Sequence, residues 1–158
     1  MLQGLFEKFK KLPKLPDGRI DFSQAEEAPI FLCVVKHQGE ILLLKRSYKV
    51  GVYRGWWNAV AGYIDEPKPI EEHVYQHLQQ ELGVPPVQVT SLKTGNPYHF
   101  YDFVLGKNWL IYPVVVELKD KPAIVLDEEH TAYRWIHPQE ISQYDIVPGL
   151  YDSLKRLI

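Results

Sequence analysis

The chain has 158 residues, 46% hydrophobic, 13% aromatic and 24% charged, a composition that builds one ordinary globular domain and excludes a disordered chain. Eighteen Lys+Arg against 20 Asp+Glu give −2, so no basic field for nucleic acid is expected, and the single cysteine, Cys33, excludes an intramolecular disulfide or a cysteine metal site. No apolar run approaches the roughly 20 residues of a membrane span, and the first residues lack a signal peptide's apolar stretch, so a cytoplasmic protein with no membrane partner is expected.

Residues 1–12 read as a short amphipathic helix. Leu2, Leu5, Phe6, Phe9 and Leu12 recur at helical spacing, Lys8, Lys10 and Lys11 take the other side, and Pro13 and Pro16 stop it. Two readings follow: a helix for a membrane surface or partner, or one packed on its own domain. Three exposed lysines are a weak electrostatic anchor, which favours the second. Residues 1–27 are expected to form this helix and a proline-containing linker, and 28–158 the main domain.

Ile30 to Lys36 is a nearly continuous apolar run, as in a strand buried on both faces. Gln38-Gly39 follows as a turn, then Ile41–Leu44, so a hairpin is predicted. A loop rich in Tyr, Arg and Trp leads to a short strand at Ala59–Ala61. Residues 69–82 read as a helix: Ile70, Val74, Leu78 and Leu82 line one face, Pro69 opens it and Gly83 stands at the C-cap. Val87–Leu92, Tyr98–Leu105, Trp109–Leu118 and Ala132–Ile136 are predicted strands, being rich in β-branched and aromatic residues. Short helices are predicted near Pro138–Gln143 and Leu150–Leu157. Strands on either side of one central helix indicate an α/β or α+β sandwich.

The stretch from Gly62 to Val84 reads G-Y-I-D-E-P-K-P-I-E-E-H-V-Y-Q-H-L-Q-Q-E-L-G-V. It resembles the Nudix hydrolase box, G-x5-E-x7-R-E-U-x-E-E-x-G-U, without a gap. Gly62, Leu78, Glu81, Gly83 and Val84 match. Lys68 stands in place of the first Glu, Gln76-His77 in place of Arg-Glu, and Gln80 in place of the first of the paired glutamates, so the box is degenerate in its acidic positions. Trp56 or Trp57 before the box, and Trp135 with Pro138 late in the chain, extend the resemblance over about 28–157. It implies a Nudix-like α/β/α sandwich with a central mixed sheet and the box helix at about 69–82.

The resemblance also implies a reaction at a diphosphate, whose charge the family neutralises with divalent cations. Hard cations prefer oxygen ligands, and carboxylates at i, i+3 and i+4 share a helix face. Here that triplet is His77, Gln80 and Glu81. The candidate metal ligands are therefore Glu81, His77, Gln80 and the Gly62 carbonyl, with Mg²⁺ or Mn²⁺ as the expected ion. His73, His77 and Glu81, spaced i, i+4, i+8, are an alternative site for a softer metal, imidazole suiting such ions. The run Asp127-Glu128-Glu129-His130 is a second source of acid. Glu128 or Glu129 is the candidate to orient a water, so Glu81, Glu128 and Glu129 form the candidate catalytic set. Lys68 facing Gln76 leaves no charge stranded where the family pairs Arg with Glu.

Tyr48, Arg54, Trp56 and Trp57 are the candidate substrate contacts: aromatic faces stack a nucleobase and Arg grips phosphate. Cys33, in an apolar strand, is expected to be an inert core residue. The expected function is a pyrophosphohydrolase acting on a small nucleoside diphosphate-linked molecule. The alternative is a catalytically inactive module of the same fold that binds a nucleotide or diphosphate. A homodimer is one candidate assembly.

Overall fold

Away from the Gln38-Gly39 hairpin its two strands part, and a cleft lies where they diverge. The computed structural model describes residues 2–158, with side chains from Gly4 onward; that of Leu2, counted above on the apolar face of the first helix, lies outside the described residues. Strands β1 (Glu27–His37) and β2 (Glu40–Arg46) are joined by Gln38 and Gly39, at φ 47° and 83°. Positive φ at both central residues marks the tight two-residue turn whose twist matches its strands. The strands pair through His37↔Glu40 and Lys36↔Ile41, and farther along each takes a different neighbour. β3 (Trp57–Asn58) stays on β2 through Leu44↔Asn58, whereas β4 (Val60–Tyr63) joins β1 from Ile30↔Tyr63 to Cys33↔Val60. The chain crosses the gap between the two at Ala59.

β5 (Val89–Thr94) and β6 (Tyr98–Asp102) both pair antiparallel with β7 (Lys107–Leu118), which runs parallel to β1; β8 (His130–Ile136) lies antiparallel on the outer side of β2. β1 is buried on both faces, as its apolar run predicts. Phe31, Cys33 and Val35 face one core with helix α2 (Ile70–Leu82), while Leu32 and Val34 face another with α3 (Leu150–Leu157). The result is a mixed sheet between helical layers. Helix α1 (Leu2–Phe9) places Leu5 and Phe9 in the first core together with Ile20 and Phe22. Among the described residues no helix is long and apolar enough to cross a membrane.

Several predicted elements differ in extent: the first helix ends at Phe9, and the single strand predicted at Ala59–Ala61 is two, β3 and β4, divided at Ala59 because each pairs with a different strand. Pro86–Gln88 is a 3₁₀ turn and the strand begins at Val89, because Pro85 and Pro86 offer no ladder N–H. The strand predicted to reach Leu105 ends at Asp102, whose Oδ1 accepts the N–H groups of Val104 and Leu105 and turns the chain. Pro138–Gln143 is 3₁₀ rather than α-helical.

α2 ends as its sequence requires. Gly83 sits at φ 68°, its N–H donating to Gln79 O, and the Val84 N–H reaches Leu78 O at 3.1 Å. These bonds satisfy the last carbonyls of the helix. Near its start His73 is buried, with Nε2 3.1 Å from the Glu66 carbonyl, so it fastens the preceding loop and is not directed at the site below. Burial holds its imidazole below the ordinary value. A histidine depressed in the folded state contributes full stability above its unfolded value, about 6.5, and loses it as pH falls toward the folded value. His73→Gln is therefore expected to lose less stability than wild type between pH 7 and pH 5. Identical losses in thermal melts would rule this out.

Candidate active site

Glu81 is 5% exposed, on the sheet-facing side of α2. Its Oε2 lies 2.6 Å from His77 Nδ1, one helical turn earlier. An ionised carboxylate only accepts, so the imidazole donates. His77 is itself held in place. Its ring meets Phe31 edge-on at 5.0 Å between centroids, and its far side rests on Gly62. A Cβ at Gly62 would stand 2.4 Å from His77 Cε1 and 2.9 Å from Phe31. The box glycine is therefore required by close approach, its φ being unremarkable. Gly62→Ala is expected to push His77 off Glu81 and to destabilise by about 1–3 kcal/mol. An unchanged melting temperature would show that the ring yields without loss.

The other side of Glu81 is built from far along the chain. The Val125 N–H donates to Leu82 O at 2.9 Å, and Val125 Cβ lies 3.3 Å from where a Gly83 Cβ would stand, so the segment docks on the end of α2. The β2–β8 register then slips between Lys45 and Arg46, bringing His130 opposite Arg46. Such a bulge re-aims a side chain. His130 is buried, with Nδ1 2.8 Å from Asp127 Oδ1 and Nε2 3.9 Å from Glu81 Oε1. Glu81, Asp127 and His130 each offer a donor atom within 4.8 Å of the others. Burial pushes the Glu81 carboxyl above its ordinary value, opposed by its bond from His77 and by the charges of His77 and His130.

The predicted ligands separate on this geometry. Glu81 is central. His77 spends Nδ1 on Glu81 and acts as its orienting partner. Gly62 provides the space for that ring. Gln80 is exposed and lines a polar depression with Arg19 and Asp65, which His73 and His77 also line. His73 is directed away, so the i, i+4, i+8 stripe does not converge. Lys68 bonds Gln76 at 2.6 Å and Glu66 at 2.8 Å, keeping the loop on the helix where the family uses Arg and Glu. Glu128 and Glu129 are exposed. Asp127 and His130, not singled out in the sequence, are the members of that run that reach Glu81. The charges of Glu129 and Glu81 both act on half-buried Arg46, whose Nε donates to Val52 O at 3.1 Å. Cys33 is fully buried and its thiol is pushed up by burial, as an inert core residue would be.

The donor set accommodates a divalent cation in part. Box positions 68, 77 and 80 supply no carboxylate, whereas Glu81, Asp127 and His130 supply two carboxylates and an imidazole in a buried site, a combination found for metals that accept nitrogen.

The cleft between the diverging strands encloses about 610 Å³ and includes Gly62 and Arg46 in its lining. Its walls carry Tyr63 and Trp109, whose rings are 6.0 Å apart, with Lys107 Nζ over both. Lys107 is buried and donates to Phe22 O at 2.7 Å. Asn58 is buried in the lining, and its Oδ1 meets no donor among the described residues. Tyr53 is held by Asp102, at 2.8 Å from both carboxylate oxygens. None of Tyr48, Arg54, Trp56 and Trp57 is part of this lining. Tyr48 is 70% exposed with its hydroxyl against Gly55, Arg54 bonds Val50 O, Trp56 leans on Tyr53, and Trp57 packs edge-on against Tyr144. The sequence cluster before the box thus supplies the cleft through Tyr53 and Asn58.

The model of the NUDIX domain matches residues 26–157. The nucleoside triphosphatase NudI of Escherichia fergusonii is 25% identical over 122 residues, spanning 72% of this chain and 84% of that protein. Among solved structures, a NUDIX hydrolase from Nitrosomonas europaea has a TM-score of 0.68 at 15% identity, covering 83% of this chain and 88% of that one. The NUDIX domain of Shewanella oneidensis NrtR, complexed with ADP ribose, has a TM-score of 0.67 at 13% identity, covering 99% and 97%. These structures share the fold.

Proposed function

This chain belongs to the NUDIX domain family, and from that premise we propose that it hydrolyses the diphosphate linkage of a small nucleoside diphosphate derivative with a divalent cation held at Glu81. The observation that carries this reading is the convergence of Glu81, Asp127 and His130, which do not themselves line the cleft, behind Arg46, which lines it and pairs with His130 across the β2–β8 ladder. NudI, a nucleoside triphosphatase by name, and the NrtR domain complexed with ADP ribose support a phosphorylated nucleoside ligand.

The residues have distinct roles in this reading. Arg46, fixed through Nε on Val52 O, neutralises phosphate charge. Tyr63 and Trp109 offer faces to an aromatic group. Glu81 is oriented by His77, and His130 by Asp127. Of the two acidic loop residues, this reading gives the orienting of a water to Glu129, whose charge acts on Arg46. A divalent cation held by Glu81 and His130, with Asp127 holding the His130 ring, would supply charge neutralisation and water activation.

A second reading has a specific observation behind it: Lys68, His77 and Gln80 remove the carboxylates that most acidic boxes offer. In that case the cleft binds a nucleotide or diphosphate and performs no chemistry.

A screen of nucleoside diphosphate-linked compounds and nucleoside triphosphates, with Mg²⁺, Mn²⁺ or Zn²⁺ and mass-spectrometric detection, separates the two. Products that disappear in Glu81→Gln are expected. Ligand-induced stabilisation without product would establish the binding module, and neither response would defeat both readings.

A further inference from the structure

Glu81 and His130 present a local problem of proton placement. His130 Nδ1 lies 2.8 Å from Asp127 Oδ1. A carboxylate only accepts, so the proton of this bond is on Nδ1, and Nε2 is the ring nitrogen left to offer a metal its lone pair. That lone pair faces Glu81 Oε1 at 3.9 Å, too long for a hydrogen bond. Glu81 Oε2 already accepts from His77. A carboxylate oxygen and a ring nitrogen therefore face each other beyond hydrogen-bond reach, in a site where both residues are buried.

A cation resolves this. Zinc sits at about 2.0–2.1 Å from imidazole nitrogen and about 2.0–2.2 Å from carboxylate oxygen, so one ion reaches two donors 3.9 Å apart. The surroundings have the form of a metal histidine: its other ring N–H goes to a carboxylate, which fixes tautomer and orientation. Asp127 does this for His130, and His77 fixes Glu81. Mg²⁺ favours an octahedron of oxygens and dehydrates reluctantly. An imidazole lone pair favours the later first-row metals.

We propose that Glu81 Oε1 and His130 Nε2 bind a Zn²⁺-class ion in preference to Mg²⁺, with Asp127 and His77 as positioning residues. This deepens the reading above and rests on the cation's place at Glu81. It replaces the expected Mg²⁺ or Mn²⁺ with an ion chosen by nitrogen ligation.

The test is metal binding by the full chain without substrate. Chelator-stripped protein is titrated with Zn²⁺, Mn²⁺ and Mg²⁺ by calorimetry and chelator competition, alongside His130→Gln and His130→Glu. Zn²⁺ is expected to bind at least 100-fold more tightly than Mg²⁺. His130→Gln should weaken Zn²⁺ at least 10-fold, and His130→Glu, an all-oxygen set, should narrow the Zn²⁺ over Mg²⁺ preference. Should the variants fail to fold, imidazole ¹⁵N spectra of the wild type decide: the His130 Nε2 resonance moves with Zn²⁺ and not with Mg²⁺. Equal affinities, an unaffected His130→Gln, or a stationary His130 resonance would overturn the assignment. Zn²⁺ bound at His130 with no turnover of any diphosphate would leave the assignment standing and defeat the hydrolase reading. Turnover with Mg²⁺ and no Zn²⁺ at His130 would do the reverse.

Discussion

Glu81→Gln is expected to abolish hydrolysis, by 100-fold or more, and at the same time to raise the melting temperature of the metal-free protein. Both effects have one cause. Glu81 is 5% exposed, and burial pushes its carboxyl up even against a 2.6 Å bond from His77. The charged form of Glu81 is therefore one that the fold solvates poorly. A neutral amide of the same shape keeps an acceptor for His77 and removes that charge. Functional sites are destabilised in this way, and relieving one such site stabilises by about 0.5–2 kcal/mol. For a domain of this size each kcal/mol is about 2–4 °C. Zn²⁺ should reverse the order, raising the wild-type midpoint and leaving the variant where it was. Thermal melts with and without metal, beside product assays, check all three statements. A less stable Glu81→Gln would mean that His77 and His130 already compensate the buried charge.

Asp102→Ala carries the largest expected loss of stability outside the hydrophobic core. The carboxylate is 3% exposed and accepts from the Tyr53 hydroxyl, the N–H groups of Val104 and Leu105, and Trp109 Nε1 at 3.4 Å. Tyr53 keeps its proton, because burial and the Asp102 carboxylate both push its phenol up, so it is a permanent donor. Removing the acceptor leaves several partly buried donors without a partner, at about 1–3 kcal/mol for a buried group. A total near 3 kcal/mol is expected, about 6–12 °C at this size. The loss has a functional side, because Asp102 ties the loop carrying Tyr53 to the β6–β7 turn, and residues of both line the cleft. Ligand affinity should fall with stability. Tyr53→Phe removes one of those donors and should lose less than half as much. A Tyr53→Phe as damaging as Asp102→Ala in denaturant titrations would place the whole effect in the phenol and not in the carboxylate.

Much of the architecture is written in local pattern. The apolar run of β1, the Gln38-Gly39 turn, and the box helix with Ile70, Val74, Leu78 and Leu82 on one face and Gly83 at its cap all rest on interactions between near neighbours. Periodicity and turn chemistry report such interactions directly. The pairing of Lys68 with Gln76 came from the resemblance, which puts these two at the positions where the family pairs Glu with Arg, and the two side chains meet at 2.6 Å.

The site was only half written there. Glu81 could be found from the spacing of the box, but its partners could not. His130 reaches Glu81 because Val125 caps α2 and because the β2–β8 ladder slips by a residue beside Arg46. Neither event leaves a periodic mark. Glu128 and Glu129 looked equally suited in sequence, and the bulge turned His130 inward and left them exposed. The cleft is a property of the sheet, opened where β1 and β2 take different neighbours across Ala59. That divergence puts Tyr53 and Asn58 in its lining, while Trp57 is spent against Tyr144. The sequence by itself determined the helix that carries Glu81 and the glycine beneath His77. Long-range pairing decided which groups surround that carboxylate, because a buried charge is shaped by whatever the fold brings within a few ångströms, wherever it lies along the chain.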